Sequence, residues 1–353
     1  MNYKKGNISR NISNHFKAID IIRAISAILI VLYHYTYRYN ENIYIIKTNS
    51  QLYWPVEVSW GWGAIFTFFI LSGFLLAKYI LQPKVEIRKF LTKRLLRLYP
   101  TYWVCMTITT LVLMFLFPEA KVTFKEYVIN LTMLASNFNM RLVDGAYWTM
   151  AYEIKFTVIL SLIFVITQLN WRKLIITVLL LLSIFEALLA GSDNIIFKVL
   201  RVVLMIDWVP VFIAGMCIYC IQKQKNNKEW WCLLCLCIFA QLIRFSSIVA
   251  NAFFIISLML MYFLPILNSW SIPNKVYKFF EFIALLSYPL YLLHQMIGFT
   301  IIKSLKNIGL TGEMWIVIPI AISILMAYLI HRYIEIPTSK TDFKNWPKSL
   351  FNS

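Results

Sequence analysis

Apolar stretches of about 17 to 22 residues recur along the chain, each long enough to cross a hydrocarbon core of about 30 Å as a helix. Read this way, the sequence predicts ten helices, with approximate limits 18–37, 62–80, 99–117, 148–168, 174–190, 202–221, 230–245, 248–266, 283–302 and 314–333. Segment 124–136 is apolar but too short to span, which predicts a re-entrant or interfacial helix. The stretch 248–266 follows its predecessor with almost no connection. No repeat, low-complexity tract or soluble domain breaks the pattern. Residues 1–353 therefore read as one all-α integral membrane unit, with a membrane-embedded core over about 18–333 and polar tails at 1–17 and 334–353.

Composition agrees with this pattern. Of the 353 residues, 60% are hydrophobic and 14% charged, too few polar groups to cover a soluble globule of that size. The net charge of +18 raises the question of nucleic acid. Lys and Arg fall in short runs between apolar stretches, however, as cytoplasmic loops require, so nucleic acid is excluded as a partner. With the N-terminus inside, cytoplasmic segments hold 21 Lys and Arg and outer loops 10. That bias, with an even number of spans, predicts N-in and C-in. Met1 to Lys17 is polar and basic, and the first apolar run is long enough to span, so it is expected to stay uncleaved.

Ionisable side chains inside apolar stretches cost free energy unless they meet a partner or water, so each one is a candidate for chemistry. Arg23 and His34 both lie in the first stretch. Eleven residues separate them, roughly 16 Å along one helix face. A snorkelling Arg anchor and a hydrogen-bonded core His are the plainer readings. After the second stretch comes a basic run, Lys84, Arg88, Lys89, Lys93, Arg94 and Arg97. Arg94 and Arg97 share a helix face and form a fork suited to phosphate or diphosphate, although any basic loop produces such spacing by chance.

Other positions carry weaker signals. Ser72 and Gly73 let a helix or ligand approach the second stretch closely, helix packing being the simpler use. Tyr37, Tyr39, Tyr44, Tyr53, Trp54 and Trp60 suit an aromatic belt, with sugar stacking as a second use. Tyr147 and Trp148 lead into the fourth stretch, which carries Glu153 and Lys155. Glu153 falls at about the depth of His34 and could fix its tautomer, or could pair with Lys155 or an Arg. Lys155 is expected to face a cavity or snorkel. The ninth stretch holds Tyr291 and a second deep histidine, His294, just after Pro289. His15 and His331 fall near the cytoplasmic interface and are assigned no chemistry. Cys217-x-x-Cys220 and Cys232-x-x-Cys235 have a spacing known from zinc sites, but in apolar helices at a reducing face they read as packing residues, and no metal is assigned.

In order, Arg23 with His34, Phe68 to Phe74, Arg94-Leu95-Leu96-Arg97 before Tyr99-Pro100, Tyr147-Trp148-Thr149 with Glu153, Ser287 to Tyr291 with His294, and Tyr333 with Glu335 and Pro337 make a set. Together the set resembles the membrane-bound acyltransferase-3 family of O-acyltransferases, over essentially the whole chain. The resemblance implies transfer of an acyl group, usually acetyl and sometimes succinyl, from acyl-coenzyme A to a hydroxyl of a cell-surface polysaccharide. It implies a bacterial inner membrane, acyl-coenzyme A as donor substrate and no permanently bound cofactor. Arg94, Arg97 and Arg23, beside Ser72, would receive the donor; His34 would act as base or nucleophile. Glu153 would orient His34, and His294 or Tyr291 would polarise the thioester or the acceptor, near Tyr147 and Trp148. Two departures stand out. Many members place a second acidic or amide residue after the Glu, where this chain has Ile154 and Lys155, and some carry a C-terminal esterase-like domain for which the residues after Tyr333 are too few. A transporter or flippase of a lipid-linked saccharide is the rival reading, with a non-catalytic scaffold third. Acyl group, acceptor and oligomeric state stay open.

Overall fold

The computed structural model describes residues 17–39, 58–80, 86–166, 169–189, 195–224, 227–310 and 313–339. His15, Tyr44, Tyr53, Trp54, Lys84 and most of both tails lie outside the described residues. Among those described there is no strand.

Helix covers most of the described residues of the ten apolar stretches, with breaks inside 202–221 and 248–266. The helices are α1 Lys17–Tyr33, α2 Ala64–Ile80, α3 Ile87–Leu116, the short α4 Phe124–Asn130, α5 Trp148–Ile166, α6 Leu169–Leu188, α7 Ile195–Leu204, α8 Val209–Lys223, α9 Lys228–Arg244, α10 Ile248–Tyr262, α11 Asn274–Asn307 and α12 Val317–Ile330. Five helical segments are long and apolar enough to cross a membrane, and α7 with α8, bent by 43°, makes a sixth. At 17 and 15 residues, α9 and α10 are shorter. The short apolar segment expected at 124–136 is α4, started by a capping box in which Thr123 and Glu126 satisfy each other's backbone donors.

Two packing clusters organise the helices. One centres on α2 and α8 with α5, α6, α9 and α10 around them; the other joins α3, α11, α12 and the segment 117–147. Glycine makes the first possible. A Cβ on Gly73 would lie 1.9 Å from the Phe212 carbonyl oxygen, and one on Gly215 1.9 Å from that of Ile70, so the backbones of α2 and α8 touch reciprocally. Thus Gly73 serves helix packing, while its neighbour Ser72 faces elsewhere. Because backbone, unlike a side-chain tip, cannot swing aside, Gly215→Ala is expected to destabilise the fold by about 1–3 kcal/mol or more. Thermal unfolding in detergent, followed by size-exclusion chromatography, checks this.

α11 is the axis of the second cluster. It packs against α1, α3 and α12. Tyr288 donates to the Leu98 carbonyl of α3 at 2.8 Å. Helices α1, α2, α3, α5 and α11 meet along the seam between the clusters.

Candidate active site

The last turn of the first helix widens: His34–Arg38 is π-helical, continuing α1. Such turns rotate side chains out of α-helical register and are frequent at functional sites. Here the turn opens at His34, which faces His294 of α11. The rings are 4.7 Å apart and edge to face, with His34 Nδ1 3.1 Å from His294 Nε2. Their other partners decide where the protons sit. His294 Nδ1 lies 2.8 Å from the Tyr291 carbonyl and 3.1 Å from that of Leu290, and His34 Nδ1 lies 2.8 Å from the Ile30 carbonyl. A carbonyl only accepts, so Nδ1 carries the proton in both neutral rings. His294 Nε2 then accepts from His34 Nδ1–H, and the lone pair of His34 Nε2 is left available.

The turn of α11 around His294 is held from two sides. Tyr35 donates to the His294 carbonyl at 2.7 Å and lies against Gly298, where a Cβ would fall 2.2 Å from its ring. From the other side, Asp144 accepts the Met296 N–H at 2.9 Å and Tyr147 donates to the Leu292 carbonyl at 3.0 Å. In an α-helix Met296 N–H and Leu292 C=O are partners of each other. The segment 144–147 thus supplies a partner to both ends of the helical step that spans His294. The second Asp144 oxygen accepts from Ala146 N–H at 2.8 Å. Asp144 lies in the connecting segment, fully buried, and burial pushes its carboxyl up to about 7.

A cavity of about 140 Å³ lies toward the start of α3, lined by Arg23, Ser72, Arg94, Arg97, Glu153, Ser287, Tyr288 and Tyr291, with apolar side chains of α2. Arg94 donates through Nη2 to Glu153 at 2.7 Å and to Ser72 at 2.9 Å. Its Nε is buried and without a partner. Arg23 donates to Ser287 at 2.8 Å. Arg97, half exposed, meets the buried Glu335 at 3.4 Å, and Glu335 also accepts from His331 at 2.7 Å. Three guanidiniums therefore line one cavity, and Glu153 is the one acidic residue among its described lining. The fork is a concave cationic site with a donor to spare.

On the other side of the histidines lies a second cavity, of about 600 Å³, lined in part by Arg38, Gln295, Met296 and Phe299. The two helices that bear the histidines line both cavities. α1 and its π-turn contribute Arg23 to one and Arg38 to the other; α11 contributes Ser287 and Tyr291 to one and Gln295 and Phe299 to the other. His34 and His294 sit between.

Of the two uses open to Glu153 in the sequence, pairing with an Arg is the one formed, with Arg94, and His294 stands where an orienting partner of His34 was expected. The reason is the path of segment 144–147. It packs against α11 at Met296 and Leu292, the turn that carries His294, so α5 begins beside that turn and Glu153, further along α5, meets Arg94. Arg23, Ser72, Arg94 and Arg97 come together as expected. Tyr147 is buried with its hydroxyl on the Leu292 carbonyl, and Trp148 packs among Phe69, Tyr152 and Trp208. Tyr291 bonds Thr149 at 2.8 Å and the Ala146 carbonyl at 2.9 Å, forming the wall between the first cavity and His294. Lys155 reaches Asn137 and the Val202 carbonyl. Cys217, Cys220 and Cys237 are buried while Cys232 and Cys235 are exposed, and no metal-ligating cluster forms among the described residues. Sequence reasoning gave no role to Asp144, Tyr35, Gln295 or Glu335. The His331-x-x-x-Glu335 spacing was the available signal for the last.

Comparison with known proteins adds a family. A family model described as an acyltransferase domain matches residues 16–332. O-acetyltransferase OatA of Staphylococcus aureus strain NCTC 8325 / PS 47 is 25% identical over 386 aligned residues, covering 94% of this chain and 58% of the relative. OatA of strain COL aligns to the same extent. An uncharacterized protein of Haemophilus influenzae is 25% identical over 143 residues, 35% of this chain. The chain thus spans 58% of the length of the OatA relatives. No solved structure matches.

Proposed function

The chain belongs to the acyltransferase-3 family, and from that premise we propose that it transfers an acyl group, acetyl or succinyl, from acyl-coenzyme A to a hydroxyl of a cell-surface polysaccharide. In this reading ten helices cross a bacterial cell membrane with both termini inside. The cavity lined by Arg94 and Arg97 is then cytoplasmic and the cavity lined by Arg38 is outer. The observation that carries the proposal is the available Nε2 of His34 between those two cavities.

Three guanidiniums suit the phosphates of coenzyme A, and the unpartnered Arg94 Nε gives them one more donor. The pantetheine arm lies along the face from Arg23 toward His34, a span of roughly 16 Å for eleven helical residues. His34 Nε2 takes the proton of the acceptor hydroxyl as its oxygen attacks the thioester carbon. The tetrahedral intermediate then collapses, the C–S bond breaks, and the coenzyme A sulfur leaves with the proton from the imidazolium. While the positive charge exists, the Nδ1–H bond to His294 Nε2 stabilises it. The donor remains inside; only the acyl group crosses.

Purified protein in nanodiscs, given radiolabelled acetyl- or succinyl-coenzyme A together with a bacterial cell-surface polysaccharide fraction as hydroxyl acceptor, tests this through release of free coenzyme A. Turnover of either donor is expected. Failure to bind or consume both would sink the reading and favour transport of a lipid-linked saccharide. His294→Ala is expected to lower turnover by about 10²-fold, since a general base that loses its orienting partner keeps only part of its effect. Donor binding should be unchanged, which separates a positioning role from a general loss of fold.

A further inference from the structure

The 600 Å³ outer cavity holds a polar group that the fold does not use. Its floor is α11 at Gln295, Met296 and Phe299, and the Phe299 ring lies 6.5 Å from that of His34. Gln295 is 6% exposed, yet its Oε1 has no hydrogen-bond partner. Among the described lining residues, it is the one with a buried polar atom left in that state. Met296 and Phe299 show what packing alone takes at this level of the helix. A buried amide without a partner costs free energy that a ligand hydroxyl would recover.

Gly145, exposed, lines the same cavity. A Cβ there would lie 2.9 Å from Gln295 Nε2, 3.4 Å from Oε1 and 3.6 Å from Cδ, the three nearest atoms it would meet. The glycine thus leaves room for this amide in particular. Its neighbour Asp144 is bonded to Met296, the residue after Gln295, so both sides of the contact are held in register. Interchanging the two ends of the amide leaves the buried end unpartnered just the same. A hydroxyl both donates and accepts, so it suits either end.

Position gives this amide a task. Gln295 directly follows His294, about 1.5 Å further along the axis of α11, and His294 holds His34 at 3.1 Å. A saccharide whose reacting hydroxyl meets His34 Nε2 therefore carries other hydroxyls within reach of Gln295. We propose that Gln295 determines acceptor specificity: its amide takes a second hydroxyl of the saccharide, close to the one acylated, and the site rejects the analogue that lacks it. The proposal rests on the acyl-transfer reading above and adds how the acceptor is recognised within it. Discrimination follows because a ligand without that hydroxyl leaves the buried amide unpaired.

The test measures saccharide affinity without donor, by ligand-observed NMR titration of the intact protein in nanodiscs. Probes are the methyl glycosides of glucose, galactose and mannose, each with its set of monodeoxy forms. In the wild type, removal of one particular hydroxyl is expected to weaken binding by about tenfold, the effect of one lost hydrogen bond to a buried group. In Gln295→Leu that penalty should shrink to within about twofold while the penalties for the other hydroxyls persist, the signature of a pairwise contact. Gly145→Ala, whose methyl displaces the amide without removing it, should cut the same penalty to about threefold and leave the others alone. Because Gly145 is exposed, this variant keeps the test decisive if Gln295→Leu does not fold. Absence of saturable glycoside binding by the wild type, or deoxy penalties that are the same in wild type and in variants of unchanged thermal midpoint, overturns the proposal. Coenzyme A release by the same preparations separates the two readings. Normal release without a Gln295-dependent penalty removes only the acceptor assignment, whereas that penalty without release removes only the acyl-transfer reading.

Discussion

Replacing His34 with alanine is expected to lower acyl-donor turnover by at least about 10³-fold, toward the upper range for removal of a general base. Donor affinity should stay within about twofold, because an interaction made only in the transition state leaves ground-state binding intact. The expectation follows from the proton positions. With Nδ1–H committed to the Ile30 carbonyl and His294, Nε2 is the one ring atom left to take a proton, and alanine removes it. His34→Gln is a useful companion. Its amide oxygen can still accept a hydrogen bond from a hydroxyl but cannot become a competent base at neutral pH, so it should be nearly as inactive. Coenzyme A release and equilibrium donor binding, measured on one preparation, check both halves of the claim.

The second large effect belongs to the cationic fork. Changing Arg94 and Arg97 together to alanine is expected to weaken donor binding by about 10²-fold or more, since each charge-assisted hydrogen bond contributes about 1.5–3 kcal/mol and 1.4 kcal/mol is a factor of ten. Arg94 also holds Glu153, with side chains 18% and 26% exposed. Removing Arg94 alone leaves a partly buried carboxylate unpaired, which destabilises the protein. Adding Glu153→Gln to the double variant removes that penalty, so thermal stability should recover while donor affinity does not. Recovery of both would show that Arg94 serves the fold and not the donor. Titrating donor binding against salt gives an independent check, because the wild-type affinity should fall more steeply with salt than that of the variant.

Much of this arrangement is legible in the sequence because hydrophobic length and intramembrane charge are one-dimensional signals. The chain is helical along its apolar stretches, with five helical segments long and apolar enough to cross a membrane and a bent pair making a sixth, and the costly residues Arg23, His34 and His294, with the basic pair Arg94 and Arg97, stand out without knowledge of their contacts. Helical spacing also placed Arg94 beside Arg97. What could not be read is which of the possible pairings across helices forms. Glu153 and His34 seemed level because the residues before Trp148 read as an interfacial loop. The chain there is packed against α11 instead, with Asp144 on Met296 and Tyr147 on Leu292, and Glu153 meets Arg94. Such a path leaves no periodic trace. His294 as the partner of His34 is equally hidden, since 260 residues separate them and two buried histidines can as well be solitary. Gln295 is an ordinary polar residue in sequence, and only the absent partner of its Oε1 marks it out.

The proposed mechanism requires that a donor anchored at Arg94 and Arg97 deliver its thioester to His34 Nε2. A structure of the protein in nanodiscs with a non-hydrolysable acyl-coenzyme A analogue tests it most directly. The account requires the diphosphate on Arg94 and Arg97 and the acyl carbon at the end of the arm within about 3–4 Å of His34 Nε2, a separation from which reaction can proceed. A donor bound elsewhere, or one whose acyl carbon stops below Tyr291 without reaching the histidines, would contradict it.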